Sequence, residues 1–274
     1  LVDWRQVQQL FAAHTAMAAE AARLRDMHPS DVAVVVRALP QSQRRQLAEA
    51  MDDERLADLL EELPEDEQLR LIEGLDLDRL VGVLEEMEYD DLTDLLGEMP
   101  DQQREAVLEA MDDEDAEVLT RLLSYDERTA GGLMTPDVII LGPDDTVAEA
   151  LAQLRDPNWS QAVASQVFIC QGPFMPPTGR YLGVVYAQRL LREPPSMTLG
   201  RCLRNIPSIT PDAPEQEVHE QFAHYNLMAL PVLDEAGRLL GAIAVDDVVD
   251  RLLGVDWRSR QRRRTTPIQP MVTP

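Results

Sequence analysis

Lysine is missing from all 274 residues. A Walker phosphate loop needs Gly-Lys-Ser/Thr, so that loop is excluded, and lysine Schiff-base chemistry goes with it. Cysteine is nearly missing too: Cys170 and Cys202 are too few and too isolated for a zinc cluster or a disulfide framework. An intracellular compartment is the expected home. There is no run of about eighteen apolar residues and no basic-then-apolar leader, so the chain is not expected to span a membrane by itself. Nucleophile elbow, Ser-His-Asp phrase and dinucleotide fingerprint are all lacking, and catalysis is not expected. His14 and His28 are isolated, while His219 and His224, five apart, do not share a helix face as a zinc pair would. Positive charge is scarce in the front half. Residues 1–128 carry 34 acids and 12 Arg, a net −22, against 16 acids and 13 Arg, a net −3, in the remainder. That balance argues against nucleic acid as a partner, because phosphate binding needs clustered basic residues.

What is present is a period. A large apolar residue followed by Pro, an acid or Ser recurs every twelve positions: Leu39-Pro40, Met51-Asp52, Leu63-Pro64, Leu75-Asp76, Met87-Glu88, Met99-Pro100, Met111-Asp112, Leu123-Ser124. Proline suits the first turn of a helix and Asp suits its cap, so each unit predicts one short helix and a turn. Apolar positions between the marks fall at helical spacing, as in Leu56, Leu59, Leu60 and Leu63, or Leu92, Leu95, Leu96 and Met99. Such helices bury one stripe by stacking, which predicts a superhelix of helix pairs with 24 residues per pair. Residues 1–25 read as an opening helix that caps the array.

Within the array, Asp90 and Asp94 lie four apart and share a helix face, with Asp91 beside them. Acids at helix starts are ordinarily caps, and acids elsewhere a solvated face. The alternative is a divalent-cation face, since hard cations choose carboxylate oxygen and Mg²⁺ keeps several waters. Nothing resembles the Gly-containing EF-hand loop, so a tight calcium site is not expected.

After Tyr125 the pattern changes. Ala130-Gly131-Gly132 is expected to end the last helix through left-handed glycine geometry. Beyond it the sequence is mixed strand and helix, and duplicated. MTPDVIILGPDDTVAEALAQL, QVFIC and YLGVVYAQRLL are matched by LRNIPSITPDAPEQEVHEQF, MALPVLD and LLGAIAVDDVV, with Gly183 and Gly241 heading equivalent strands 58 residues apart. Each copy predicts a short strand, a capped helix, a hairpin and a final helix.

This order and the LPV…G…LLG…VDD phrasing resemble tandem cystathionine-β-synthase (CBS) domains. With the acidic repeat and the junction YDERTAGGLMTP at 125–136, the chain resembles the cytosolic region of the MgtE magnesium channel family over about residues 30–253. The resemblance implies a multidomain chain, an all-α superhelical repeat domain followed by an α/β tandem CBS (Bateman) module. Its divisions fall at 1–128 for the acidic helical N domain, 129–136 for the junction, 137–195 and 196–254 for the CBS motifs, and 255–274 for an Arg/Pro-rich tail.

The resemblance also implies Mg²⁺ bound between the helical domain and the CBS pair, with Ca²⁺ or Mn²⁺ as substitutes, and a closed channel when Mg²⁺ is plentiful. Asp90, Asp94 and Asp247 match its acidic positions, and Asp58, Asp91, Asp246 and Asp250 join them by proximity. A homodimer through the CBS domains is implied, at the cytoplasmic face of the inner membrane. The chain departs from the family in two places. Pro214-Glu215-Gln216-Glu217 stands where another acidic group is usual, with Glu215 or Glu217 as a substitute, and RLLGVDWRSRQRRRTTPIQPMVTP replaces a connecting helix and membrane helices. The transporter's membrane portion is therefore expected outside this chain, and Arg258 to Arg264 read as a disordered tail, with contact to anionic lipid or folding back onto the acidic repeat as alternatives. CBS pairs elsewhere often bind ATP or AMP through an acid in the final helix. Asp247 has that place in the second copy, but Ala244 replaces the usual Ser or Thr, and Tyr186-Ala187-Gln188-Arg189 in the first copy has no acid. A nucleotide-responsive module and a plain protein-interaction scaffold stand as alternatives.

Overall fold

The computed structural model describes residues 24–25, 27–156, 159 and 161–253. Most of the expected opening helix, His14 and the stretch Arg258 to Arg264 lie outside the described residues. The chain divides into two compact units. One takes the described residues through Met87 together with Asp94–Ala116; the other takes Glu88–Thr93 and Glu117–Leu252.

Helices start at residues 29, 41, 53, 65, 77, 89, 101 and 113, one every twelve as the punctuation predicts. They are α1 (Pro29–Ala38), α2 (Gln41–Ala50), α3 (Asp53–Glu61), α4 (Glu65–Ile72), α5 (Leu77–Leu84), α6 (Tyr89–Glu98), α7 (Asp101–Ala110) and α8 (Asp113–Leu122). Pro40, Pro64 and Pro100 occupy the N-cap itself, one residue earlier than expected. An extended proline there costs no helical N–H, and its carbonyl accepts the first helical bond, as Pro40 does from Gln43 at 2.9 Å. At the alternate starts Asp52 and Asp76 cap by accepting from the N–H of Arg55 and Arg79, each at 3.0 Å.

Within the first unit α1 packs on α3, α2 on α4, α3 on α5 and α5 on α7, each pair being next but one in the chain. That is the 24-residue superhelical step. Leu56, Leu59, Leu60 and Leu63 are all buried, each such leucine contributing about 1.5–3 kcal/mol. Polar hooks repeat with the same step. Arg55 donates to the carbonyls of Leu24, at 3.0 Å, and Met27, while Arg79, 24 residues on, donates to Met51. Arg44 reaches Leu39 O at 2.9 Å and Arg37 O at 2.6 Å, and Gln68 reaches Leu60 O and Leu63 O at 2.8 and 2.9 Å. These side chains satisfy carbonyls that every helix C-terminus orphans. Replacing the Asp76 cap with Ala should cost about 1 kcal/mol, read as a lower urea midpoint with an unchanged slope.

In the second unit the copies appear as β1 (Ile140–Leu141), α9 (Val147–Gln153), β2 (Gln166–Cys170), β3 (Tyr181–Tyr186) and α10 (Ala187–Leu190), then α11 (Glu215–Tyr225), β4 (Ala229–Leu233), β5 (Leu239–Ala244) and α12 (Val245–Leu253). β1 runs parallel to β2, and β2–β3 and β4–β5 are antiparallel hairpins. The second copy has no full first strand; a single parallel bridge, Ile209 to Val232, stands in its place. Chain crossovers complete each hairpin, since Arg204 pairs with Val184 of the first copy and Thr135 with Ala242 of the second. This explains the matched glycines: a Cβ on Gly183 would sit 2.8 Å from Arg204 O, and one on Gly241 2.4 Å from Thr135 O.

The junction differs from expectation. The last repeat helix ends at Leu122, and neither Gly131 nor Gly132 has a positive φ. Close approach is what requires them, for a Cβ would meet the Tyr125 ring at 2.6 Å and Asp126 O at 2.4 Å. The N–H groups of Ala130 and Gly131 donate to Ala213 and Pro211 at 2.8 Å.

Candidate functional site

The first turn of α6 and the first turn of α12 meet within the second unit. Hydrophobic packing places them. Tyr89 and Val245 lie against the same apolar cluster that buries Val248, so the acids next to these residues are carried to one place. Asp90 and Asp247, 157 positions apart in sequence, are brought side by side, close enough for each carboxyl to act on the other's ionisation. Two carboxylates so placed titrate as a pair rather than independently.

Burial removes water from Asp90 and pushes its carboxyl up to about 6, against the N–H groups of Asp90 and Asp91, which favour the charged form; the Asp246 charge adds to the rise. Burial likewise pushes Asp247 well above the carboxylate range, helped by the charges of Asp90, Asp246 and Glu88. Asp90 Oδ1 is buried without a hydrogen-bond partner.

The other sequence candidates are placed differently. Asp246 is exposed at the edge of the pair, and Asp250 is half-buried one turn further along α12. Asp91 is half-buried in the first turn of α6. Asp94 falls in the first unit. Asp58, also there, is ion-paired to Arg55 at 2.9 Å. Glu215 lies 3.5 Å from His219 on α11. Two residues escaped the sequence reading, Glu88 and Tyr89. A signal for Tyr89 existed, because it is the one aromatic residue between Ser30 and Ser124.

Among the described residues no three His, Cys, Asp or Glu side chains converge as a closed metal cage. The pair instead fits a hard cation that keeps much of its water. Asp90 and Asp247 would supply oxygen, the unpartnered Oδ1 of Asp90 included, and Asp246 and Glu88 the surrounding charge.

Comparison with known proteins gives matches along most of the chain. Residues 27–128 match the model of the MgtE intracellular N domain, and residues 130–196 and 201–254 match the CBS domain. The magnesium transporter MgtE of Thermus thermophilus is 32% identical over 139 residues, 50% of this chain and 29% of that protein. The magnesium transporter MgtE of Enterococcus faecalis is 24% identical over 138 residues, again 50% of this chain and 29% of that protein. The chain thus spans under a third of the curated relatives it matches. A crystal structure of the cytosolic domain of the Mg²⁺ channel MgtE in complex with ATP superposes with TM-score 0.75 and 28% identity, covering 84% of this chain and 93% of that one. The soluble part of a magnesium transporter shares the fold, with TM-score 0.78 at 21% identity over 89% and 97% of the two chains. Among the described residues no helix is long and apolar enough to cross a membrane.

Proposed function

From a chain that belongs to the MgtE family, carrying its intracellular N domain and two CBS domains, we propose that this protein is the Mg²⁺-sensing regulatory region of a magnesium transporter. Divalent ions bridge the acidic N domain and the CBS pair and favour a compact state that closes the pore. The pore belongs to a transporter portion outside this chain, and the module works without catalysis at the cytoplasmic face of the inner membrane. The observation that carries this reading is the half-buried pair Asp90 and Asp247, with an orphaned oxygen and two further acids around it. Two unit charges 4 Å apart repel by about 4 kcal/mol at an effective dielectric near 20, and an ion between them reverses the sign. Small-angle scattering and protease protection, followed from chelated protein into millimolar Mg²⁺, should show compaction and slower cleavage. An identical profile at both ends of the titration would sink the reading.

The same reading includes a homodimer through the CBS domains. Tyr225, Met228, Val249 and Leu252 are large apolar side chains left exposed on or near α11 and α12, the kind of surface that association covers. Light scattering should give twice the chain mass.

A nucleotide role is favoured by one observation, the ATP complex of the solved relative. Asp247 lies in the first turn of the final CBS helix, and in this reading it would be the acid that contacts ribose. Calorimetry with ATP and AMP separates the readings. Heat from nucleotide, with no shape change in Mg²⁺, would assign the module to nucleotide sensing.

A further inference from the structure

The first unit contains an open cavity of about 300 Å³ between α1, α2 and α4, room for about ten water-sized groups. Its charged lining is Arg44, Arg45, Arg70 and Glu67. Three guanidinium groups around one cleft stand out in a front half that carries a net −22.

Their partners are unequal. Glu67 is shared by two arginines, with Arg37 at 2.8 Å and Arg44 at 3.2 Å, and Arg44 is further tied to the Leu39 and Arg37 carbonyls. Arg44 is thus fixed as part of the fold, with its carboxylate already engaged. Among the described residues Arg45 and Arg70 pair only with carboxylates on their own helices, Glu49 at 3.7 Å and Asp66, and their side chains are 48% and 53% exposed. Such exposed pairs contribute a few tenths of a kcal/mol and yield readily to a better acceptor. Arg45 is also held in place: its guanidinium lies directly over Gly74, occupying the space any Cβ there would take.

The rest of the lining agrees. Gln41 opens α2, whose first turn has no acid and whose N-cap, Pro40, makes no side-chain bond. The positive end of the dipole there is left uncompensated. Val36, Leu63 and Leu71 give the cleft an aliphatic wall.

We propose that this cleft binds a small organic oxyanion, a carboxylate or phosphate with a short apolar portion. Arg45 and Arg70 clamp the oxygens and the aliphatic wall takes the remainder. Guanidinium forks match both groups bidentately. The site is separate from the carboxylate pair of the second unit and needs no metal.

The test is a calorimetric titration of the whole chain, in chelator and at low ionic strength, with inorganic phosphate, butyrate and glycerol 3-phosphate in turn. At least one probe should bind saturably in the millimolar range, and the variant Arg45→Gln/Arg70→Gln should weaken it by about tenfold or more. Butyrate alone would mark a carboxylate site with apolar selection. Both phosphates together would mark a phosphate site, and either result supports the proposal. Because both arginines are half-exposed, the variant should keep the wild-type thermal midpoint, and Arg45→Lys should retain part of the affinity. Absence of saturable binding by all three probes overturns the proposal. Equal affinity in wild type and double variant does the same.

Discussion

With divalent cations chelated at pH 7.5, Asp90→Asn is expected to raise the thermal midpoint rather than lower it. Most substitutions near a core destabilise, so the direction is informative. Ionised Asp90 is held where burial and neighbouring carboxylates push its carboxyl up to about 6 from 3.8. Each unit of such a shift corresponds to about 1.4 kcal/mol. The side chain is half-buried, and residual water reduces the full figure, leaving about 2 kcal/mol to be released by the neutral amide. For a chain of this size that is about 4–8 °C. An amide at 90 also offers Asp247 a hydrogen-bond donor, which an ionised carboxylate cannot. In millimolar Mg²⁺ the ranking should invert, because wild type gains binding energy by mass action and the variant gains less. Asp247→Asn should behave alike, and the triple variant Asp90→Asn/Asp94→Asn/Asp247→Asn should be compact in chelator. A lower midpoint for both single variants, or an expanded triple variant, would remove carboxylate repulsion as the mechanism.

The second large effect is on pH. Asp90 has its carboxyl raised on folding, so between pH about 4 and about 6 the folded chain binds more protons than the unfolded one. The pair's contribution is fully present below the unfolded value, and it is lost as pH rises through about 6. Chelated wild type should therefore melt at a higher temperature at pH 5.5 than at pH 7.5, by somewhat under about 1 kcal/mol, because most of the effect lies between pH about 4 and about 5.5. Asp247, raised in the same direction by burial and by Asp90, Asp246 and Glu88, adds to the slope. Mg²⁺ should flatten the profile by taking the place of the proton. The double variant Asp90→Asn/Asp247→Asn isolates the pair from the other acids of the chain. If wild type and double variant show parallel slopes in chelator, the pair is not the titrating element.

The twelve-residue punctuation was legible because helix starts are local events. A proline or aspartate cap and an apolar stripe act within one turn, and eight helices begin in step with them. The duplication from Gly132 was legible for the same reason, through Gly183 and Gly241, whose equivalent settings against Arg204 and Thr135 the structure then explained. The junction was misread because Gly131 and Gly132 are needed for close approach to Tyr125 and Asp126, and sequence does not separate that use of glycine from a helix cap. The polar hooks of Arg55 and Arg79 went unread as well, since their acceptors are backbone carbonyls with no sequence signature.

By itself the sequence determined the helical period, the paired α/β copies and the acidity of the front half, since capping, stripe spacing and net charge are properties of neighbouring residues. Only the tertiary structure decided which carboxylates meet. Asp90 reaches Asp247 because Tyr89 and Val248 pack into one apolar cluster, while Asp58 is taken by Arg55. Burial of neighbouring apolar side chains overcomes the repulsion between those acids, and no spacing along the chain records that balance.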